Sequence, residues 1–391
     1  MRVVDVNELY SPTGGGVRTY IDRKFGIMAD LGHELVVIAP GKRDEVEERP
    51  GGGRIHWVRS PLLPLDTNYR QFSRVRTIRS LLDAIDPDVV EVCAPWAGAL
   101  AVRNWHGRAL KVYFAHNDNL AAYPRRWLHP LVSAERVERV FHFYTRWMHN
   151  MLAPFDAFVT NGPTLARDFT RRGFDAVPMP LGIEEGYFSP DHRDERLREA
   201  LLAQCGLPRD GLLLLGLGRH HSEKRWPMVI DAIDAAGADI PVGMVMLGDG
   251  PARASVEARI KGSPHIRLFR PVYDRHRLAS IIASCDALVH GSSDEPFGLV
   301  AHEALASGLP LIVPDRGGCA EIADPLFAET YRAGDARACA DAIRRLHARE
   351  RTILRAAARH AAARVRTGHD HARELMAHYA ALLERRRALA A

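Results

Sequence analysis

Cysteine is scarce in this 391-residue chain, and lysine is as scarce. The five cysteines (Cys93, Cys205, Cys285, Cys319, Cys339) are odd in number, scattered and never spaced C-x-x-C. That excludes a disulfide framework and a zinc ribbon and points to a reducing cytoplasm. No run of about 18 apolar residues occurs, so the sequence offers no helix to span a bilayer. The opening Met1-Arg-Val-Val-Asp-Val reads as a strand and not a signal peptide, because charge interrupts a short apolar run. A dominating repeat is also lacking, as is any zinc-finger, basic-zipper or RNP-type pattern, which leaves no nucleic-acid partner. Charge of either sign barely dominates: 53 basic residues face 48 acidic ones, a net +5, and 48 of the 53 are arginine. Such an arginine excess beside abundant alanine is most simply the mark of a GC-rich genome.

What is present is an ordinary globular composition, 47% apolar and 26% charged. The chain is too long for one compact core, so two domains are expected. Short β-branched runs alternate with amphipathic helical stretches. Val3–Val6, Glu34–Ala39, Asp88–Cys93, Ala109–Ala115 and Ala157–Thr160 read as strands. From Leu181 to Pro208 the pattern lapses into a polar stretch that reads as an inter-domain linker. A second series follows at Gly211–Gly218, Val242–Gly248, Ile266–Phe269, Ala287–His290 and Leu311–Pro314, and the tail from Ala336 is Ala/Arg-rich and helical. Alternation of this kind is the signature of an α/β chain with two doubly wound parallel sheets. In such sheets ligands sit beyond the carboxyl ends of the strands, so chemistry is sought there.

Four strand ends carry it. Gly14-Gly15-Gly16 precedes a helix expected at Val17–Leu31, where bare backbone and free N–H groups suit an anion or hydroxyl. No acidic residue closes strand two, which disfavours a dinucleotide dehydrogenase. His116 closes the strand in Tyr113-Phe-Ala-His-Asn-Asp118 and is expected to face a cleft, ready to bond a substrate hydroxyl. Gly216-Leu-Gly-Arg219-His-His-Ser-Glu-Lys224-Arg-Trp-Pro227 offers a planar fork and a compact ammonium for a diphosphate; a lysine kept where arginine prevails singles out Lys224. Finally, His290-Gly-Ser-Ser-Asp-Glu295-Pro-Phe-Gly-Leu-Val-Ala-His-Glu303 ends a strand. Pro296 is expected to start a helix with Phe297, Gly298 and Leu299 in its first turn. Their N–H groups would face phosphate or sugar oxygens, and Glu295 and Glu303 would lie about two turns apart on a similar face. Asp86-Pro-Asp88 reads as a helix-to-strand turn, and His369-Asp-His371 as a tail feature far from any strand end; neither suggests a metal.

These motifs resemble those of family-4 retaining glycosyltransferases of the GT-B fold. The run E-P-F-G-L-V-x-x-E-A-L-A-x-G-x-P, the later G-G-x-x-E-I, the earlier G-R-x-x-x-E-K, the glycine loop and the strand-end histidine stand in the expected order. The resemblance implies two Rossmann-like domains facing a central cleft. Residues 1–185 would form the acceptor-side domain, with 371–391 returning to it, and 186–370 the nucleotide-sugar domain. It further implies that Glu303 binds the ribose and Glu295 the sugar hydroxyls, that Arg219 and Lys224 bind the diphosphate, and that the backbone of Phe297, Gly298 and Leu299 surrounds phosphates and sugar. His116 would face the transferred sugar, and Gly15 and Gly16 the phosphate side. No metal or other cofactor is implied. His220 stands where leucine is frequent, Arg225-Trp226 where glycine is, and the first loop has three glycines where two are commoner.

The implied reaction moves a hexosyl unit from a nucleoside-diphosphate sugar, a UDP-sugar first and GDP-mannose next, to an acceptor hydroxyl with retention. Acceptors in this fold bind mainly the first domain. There, six arginines (54, 59, 70, 74, 76, 79) face one acid, Asp66, between Arg54 and Arg79, interleaved with Trp57, Leu62, Leu63, Tyr69 and Phe72. A second stretch, Tyr123–Pro130, precedes Phe141, Phe143, Tyr144, Trp147 and Met148. Basic residues beside aromatics suit an anionic bilayer, hence a lipid or lipid-linked cell-envelope glycan as acceptor and the inner face of the plasma membrane as location. The alternatives are a soluble acceptor and a nucleotide-sugar 2-epimerase.

Overall fold

The computed structural model describes residues 1–11, 15–63, 66–118 and 142–390. Gly14, Tyr123–Pro130 and Phe141 therefore lie outside the described residues. The chain divides into two compact units, Met1–Gly182 with Gly368–Ala391, and Ile183–Thr367.

The first unit is built on β1 (Arg2–Val6), β2 (Glu34–Gly41), β3 (Glu45–Glu48), β4 (Arg54–Arg59), β7 (Val89–Val92), β8 (Leu110–Ala115), β9 (Ala157–Thr160) and β10 (Ala176–Pro178), in the order β10-β9-β8-β7-β1-β2-β4-β3. A small ribbon, β5 (Leu62–Leu63) with β6 (Asp66–Arg70), stands apart. All neighbours in the large sheet are parallel except β3 with β4. Val4, Val6, Val36, Ile38, Val90 and Val92 point into one apolar layer. On the opposite face, Asp5 and Glu91 are register partners, and Glu91 is in turn paired with Val112. Two and four residues beyond Val112 come Phe114 and His116, on that same face by the strand alternation. Two carboxylates thus interrupt the apolar runs where a buried parallel sheet would ordinarily be hydrophobic on both sides.

The second unit contains β11 (Leu212–Leu217), β12 (Val242–Leu247), β13 (Ile266–Phe269), β14 (Ala287–Val289), β15 (Leu311–Pro314) and β16 (Ala328–Tyr331), all parallel, in the order β13-β12-β11-β14-β15-β16. Leu212 and Leu214 face one core, and Leu213 and Leu215 the other. Strand order reverses between β11 and β14, and in the first unit between β1 and β7. These are the switch points outside which doubly wound sheets bind ligands.

The expected linker is only partly one. Within it the helix Glu195–Gln204 forms, capped by the Asp194 carboxylate, which accepts from the amides of Arg196 (2.8 Å) and Leu197 (3.2 Å). Leu201 and Leu202 bury themselves in the second unit's core. The polar flank of an amphipathic helix had the look of a linker. The tail forms three helices, Ala336–Ala348, Arg351–Ala362 and Gly368–Ala390, and the last belongs to the first unit.

Candidate functional site

In the second unit the loop after β11 turns through a short helical turn, Ser222–Lys224, and Arg225 takes a left-handed conformation (φ 51°) before the helix Trp226–Gly237. The Trp226 indole N–H donates to the Arg219 carbonyl (3.0 Å) and pins the loop. Arg219 and Lys224 are thereby separated in character: the Arg219 side chain is 54% exposed, whereas Lys224 is buried and its ammonium is bonded to the Glu295 carboxylate. Burial alone would lower the Lys224 pKa, but the charge and hydrogen bond of Glu295 raise it above the usual lysine value. Burial likewise pushes the Glu295 carboxyl up, yet Lys224 holds it below the usual carboxylate range. His290, at the end of β14, places Nε2 3.8 Å from Oε2 of Glu295. Burial and the neighbouring Lys224 lower its pKa to about 4, so the ring is neutral.

The segment after Glu295 differs from expectation. The helix begins at Leu299, not at Pro296, and runs to Ala306; Gly298 precedes it in a left-handed conformation (φ 82°) with no side-chain cap. Phe297 and Gly298 are therefore loop, and Glu295 shares no helix face with Glu303. The reason is close approach: a Cβ on Gly298 would stand 2.6 Å from the Cys319 sulfur, and one on Gly318 2.5 Å from the Phe297 Cα. The Gly298 carbonyl accepts from the amides of Ala301 (2.9 Å) and His302 (3.1 Å), which leaves the Leu299 and Val300 amides without partners within the helix. Phe297 stacks on His302 with ring centroids 4.0 Å apart. Glu303 is buried and lies 3.6 Å from the Arg275 guanidinium, which also holds Glu184 at 2.6 Å and rests over Phe188. An ion pair at Glu303 is thus present, and Arg275 and His290 are neighbours that the sequence did not single out. The sequence marks His290 as closing its strand, as it does His116, but assigns it no role there.

In the first unit Gly15 caps the helix Gly16–Asp30 without a side-chain bond, and a Cβ on Gly16 would meet nothing within 4 Å. Packing does not demand glycine there. His116 is itself buried, 7% exposed, just past the carboxyl end of β8. Its ring lies 4.6 Å from Phe114 and 5.2 Å from Tyr20. Burial, Lys24 and His371 lower its pKa to about 3, so it is neutral at any working pH. His371 corrects a second expectation. Far from being remote from the strand ends, it bonds Tyr20 and contacts Phe114 edge-on at 6.2 Å. Next along the strand-end loop, Asp118 accepts from both arms of Arg172 (3.0 and 2.5 Å). Among the described residues no three His, Cys, Asp or Glu side chains gather as a metal site.

The expected residues therefore fall into two groups, each at the carboxyl ends of the strands of its own sheet. Residues 14–184 match Glycosyltransferase Family 4, and residues 211–349 match Glycosyl transferases group 1. A GDP-mannose-dependent alpha-(1-6)-phosphatidylinositol dimannoside mannosyltransferase of Mycobacterium tuberculosis is 31% identical over 350 residues, 87% of this chain and 84% of that protein. The chain belongs to family 4 of the GT-B glycosyltransferases. A GDP-mannose-dependent alpha-mannosyltransferase of Mycolicibacterium smegmatis is 28% identical over 99% of both chains. Among solved structures, sucrose-phosphate synthase of Thermosynechococcus elongatus shares the fold with a TM-score of 0.77 over 98% of this chain and 99% of that one, at 19% identity. As a GT-B glycosyltransferase the chain needs a nucleotide-sugar donor and an acceptor, and no helix among its described residues is long and apolar enough to cross a membrane.

Proposed function

We propose that this glycosyltransferase moves a mannosyl unit from GDP-mannose to a hydroxyl of a lipid-linked acceptor, with retention and without a metal ion. The observation that carries the reading is the convergence of Arg219, Lys224, Glu295 and the Leu299–Ala306 helix at one switch point. As the bond to the anomeric carbon breaks, charge accumulates on the leaving diphosphate. Preorganised cations and amide dipoles placed there lower the barrier most, and they supply what a divalent ion otherwise would. When the diphosphate takes Lys224, Glu295 is released toward the sugar hydroxyls. Its remaining partner is then the neutral His290. No glycosidase-type nucleophile stands out, which favours same-face displacement with the departing phosphate accepting the acceptor's proton.

GDP-mannose takes precedence over a UDP-sugar because both mycobacterial relatives are named for it. The acceptor class rests on the first relative's name and on the helix His142–Leu152, where Phe143 (65%) and Trp147 (40%) are exposed beside Arg146 while Met148 is buried. Aromatics and arginine together suit the cytoplasmic face of an anionic membrane. The upstream arginines speak less clearly, since Arg54 is paired with Glu34 and Arg74 with Asp44.

The test is nucleoside diphosphate release from GDP-mannose, UDP-glucose and ADP-glucose in EDTA, with and without phosphatidylinositol-containing vesicles, beside Glu303→Ala. GDP release that rises with the vesicles and falls about 10- to 100-fold in the variant is expected, with an α-anomeric product by NMR. Release from UDP-glucose alone would replace the donor, and release indifferent to vesicles would redirect the acceptor to a soluble compound. No release from any donor would overturn transfer.

A further inference from the structure

The buried face of the first sheet carries more polar chemistry than its fold requires. Lys24, from the helix Gly16–Asp30, donates to Glu91 (2.5 Å), whose other oxygen accepts from Tyr379 (2.9 Å). The Lys24 ammonium also stands 5.5 Å over the Tyr20 ring. Tyr20 in turn bonds His371 at Nε2 (3.0 Å), while Nδ1 of His371 lies 3.0 Å from the Pro180 carbonyl. A carbonyl only accepts, so Nδ1 carries a proton, and in the neutral ring Nε2 then accepts from the Tyr20 hydroxyl. The far side of Tyr20 faces Phe114 and His116.

Two of these groups, His371 and Tyr379, come from the final helix, eight residues apart and thus on one face. Both are buried, 3% and 0% exposed, among Ala372, Leu375 and Met376. Apolar side chains dock a helix without the desolvation penalty that buried polar groups carry. Polar contacts at these two positions therefore need a reason beyond docking, and the chain of contacts from His371 ends on His116. We propose that His371 is a positioning residue that orients His116 through Tyr20, making the last helix a working part of the first unit's site. This rests on the reading of His116 as the residue facing the transferred sugar.

Four variants separate the possibilities. Tyr20→Phe removes the hydroxyl and keeps the ring. His371→Asn keeps a donor for Pro180 but reaches nothing at Tyr20, and His371→Gln restores an acceptor where Nε2 stood. Leu375→Ala loosens the same helix through an apolar contact. With GDP-mannose and phosphatidylinositol vesicles, Tyr20→Phe and His371→Asn should lower kcat about tenfold or more with little change in the donor KM, as misplacement of a reacting neighbour does. His371→Gln should recover most of that loss, and Leu375→Ala should lower Tm with kcat unchanged. A second readout needs no turnover: the His116 ring resonances of the free protein should shift in Tyr20→Phe and His371→Asn and return in His371→Gln. Unmoved resonances, or a kcat loss in Leu375→Ala matching that of His371→Asn, would overturn the proposal. If His116→Ala loses activity while Tyr20→Phe and His371→Asn keep it, positioning fails and the role of His116 stands. If His116→Ala is fully active, the role of His116 fails and positioning with it.

Discussion

Glu8 shows how a single carboxyl is held at a strand end. It is buried just past β1 and accepts from the amides of Gly98 (3.0 Å) and Phe72 (3.4 Å). Burial outweighs both bonds and raises its pKa to about 7. A raised carboxyl pKa means that the native state holds a proton the unfolded chain has released, so its contribution to stability is complete below the unfolded value, near pH 4, and is lost as pH climbs to about 7. Wild type should therefore lose stability relative to Glu8→Gln between pH 4.5 and 7.5, by up to about 3 kcal/mol, measured as the difference in urea midpoints at each pH. A constant difference across that range would show that Glu8 does not titrate there. At this scale the sequence was informative wherever rarity spoke. Lysine is rare, and Lys224 proved to be the buried cation beside Glu295. It was uninformative where significance came from a distant contact, since nothing in His369-Asp-His371 announces Tyr20, which lies 351 positions away from His371.

Among elements, the loop between β14 and the Leu299–Ala306 helix is the most tightly specified. The Gly318 amide donates to the Glu295 carbonyl (2.7 Å), and the Gly318 Cα abuts the Phe297 backbone, which cannot step aside as a flexible side chain would. Gly318→Ala should cost about 1–3 kcal/mol by overpacking and raise the donor KM, both read from thermal melts and initial rates; an unaltered KM would detach this contact from donor binding. Pro296 misled the sequence reading because proline favours the first helical position, while the left-handed Gly298 delays helical backbone to Leu299. The strands β3, β4, β10 and β16 went unread for a related reason. Each is short or charge-bearing, and β4, Arg-Ile-His-Trp-Val-Arg, drew attention for its basic residues and not for its alternation.

For the whole molecule, the parallel α/β architecture was legible because fully buried strands must be continuously apolar, and the runs at β2, β11 and β12 are. The return of the last helix to the first unit rests on contacts between residues such as Glu91 and Tyr379, nearly 300 positions apart, which no local pattern encodes. A chain ending at Thr367 should keep the second unit's amide protection and GDP binding while the amides of β1, β7 and β8 exchange faster by hydrogen-exchange mass spectrometry. Equal protection in both chains would make the helix dispensable to the sheet.

That connectivity has a consequence for how the protein is made. Every strand of the second unit has been synthesised once Tyr331 is added, and its two ends can meet once Arg366 follows, where Ile183 donates to the Arg366 carbonyl (3.0 Å). The first unit, although begun first, waits for Tyr379 to reach Glu91. The residues that complete the second unit are thus synthesised before those that complete the first.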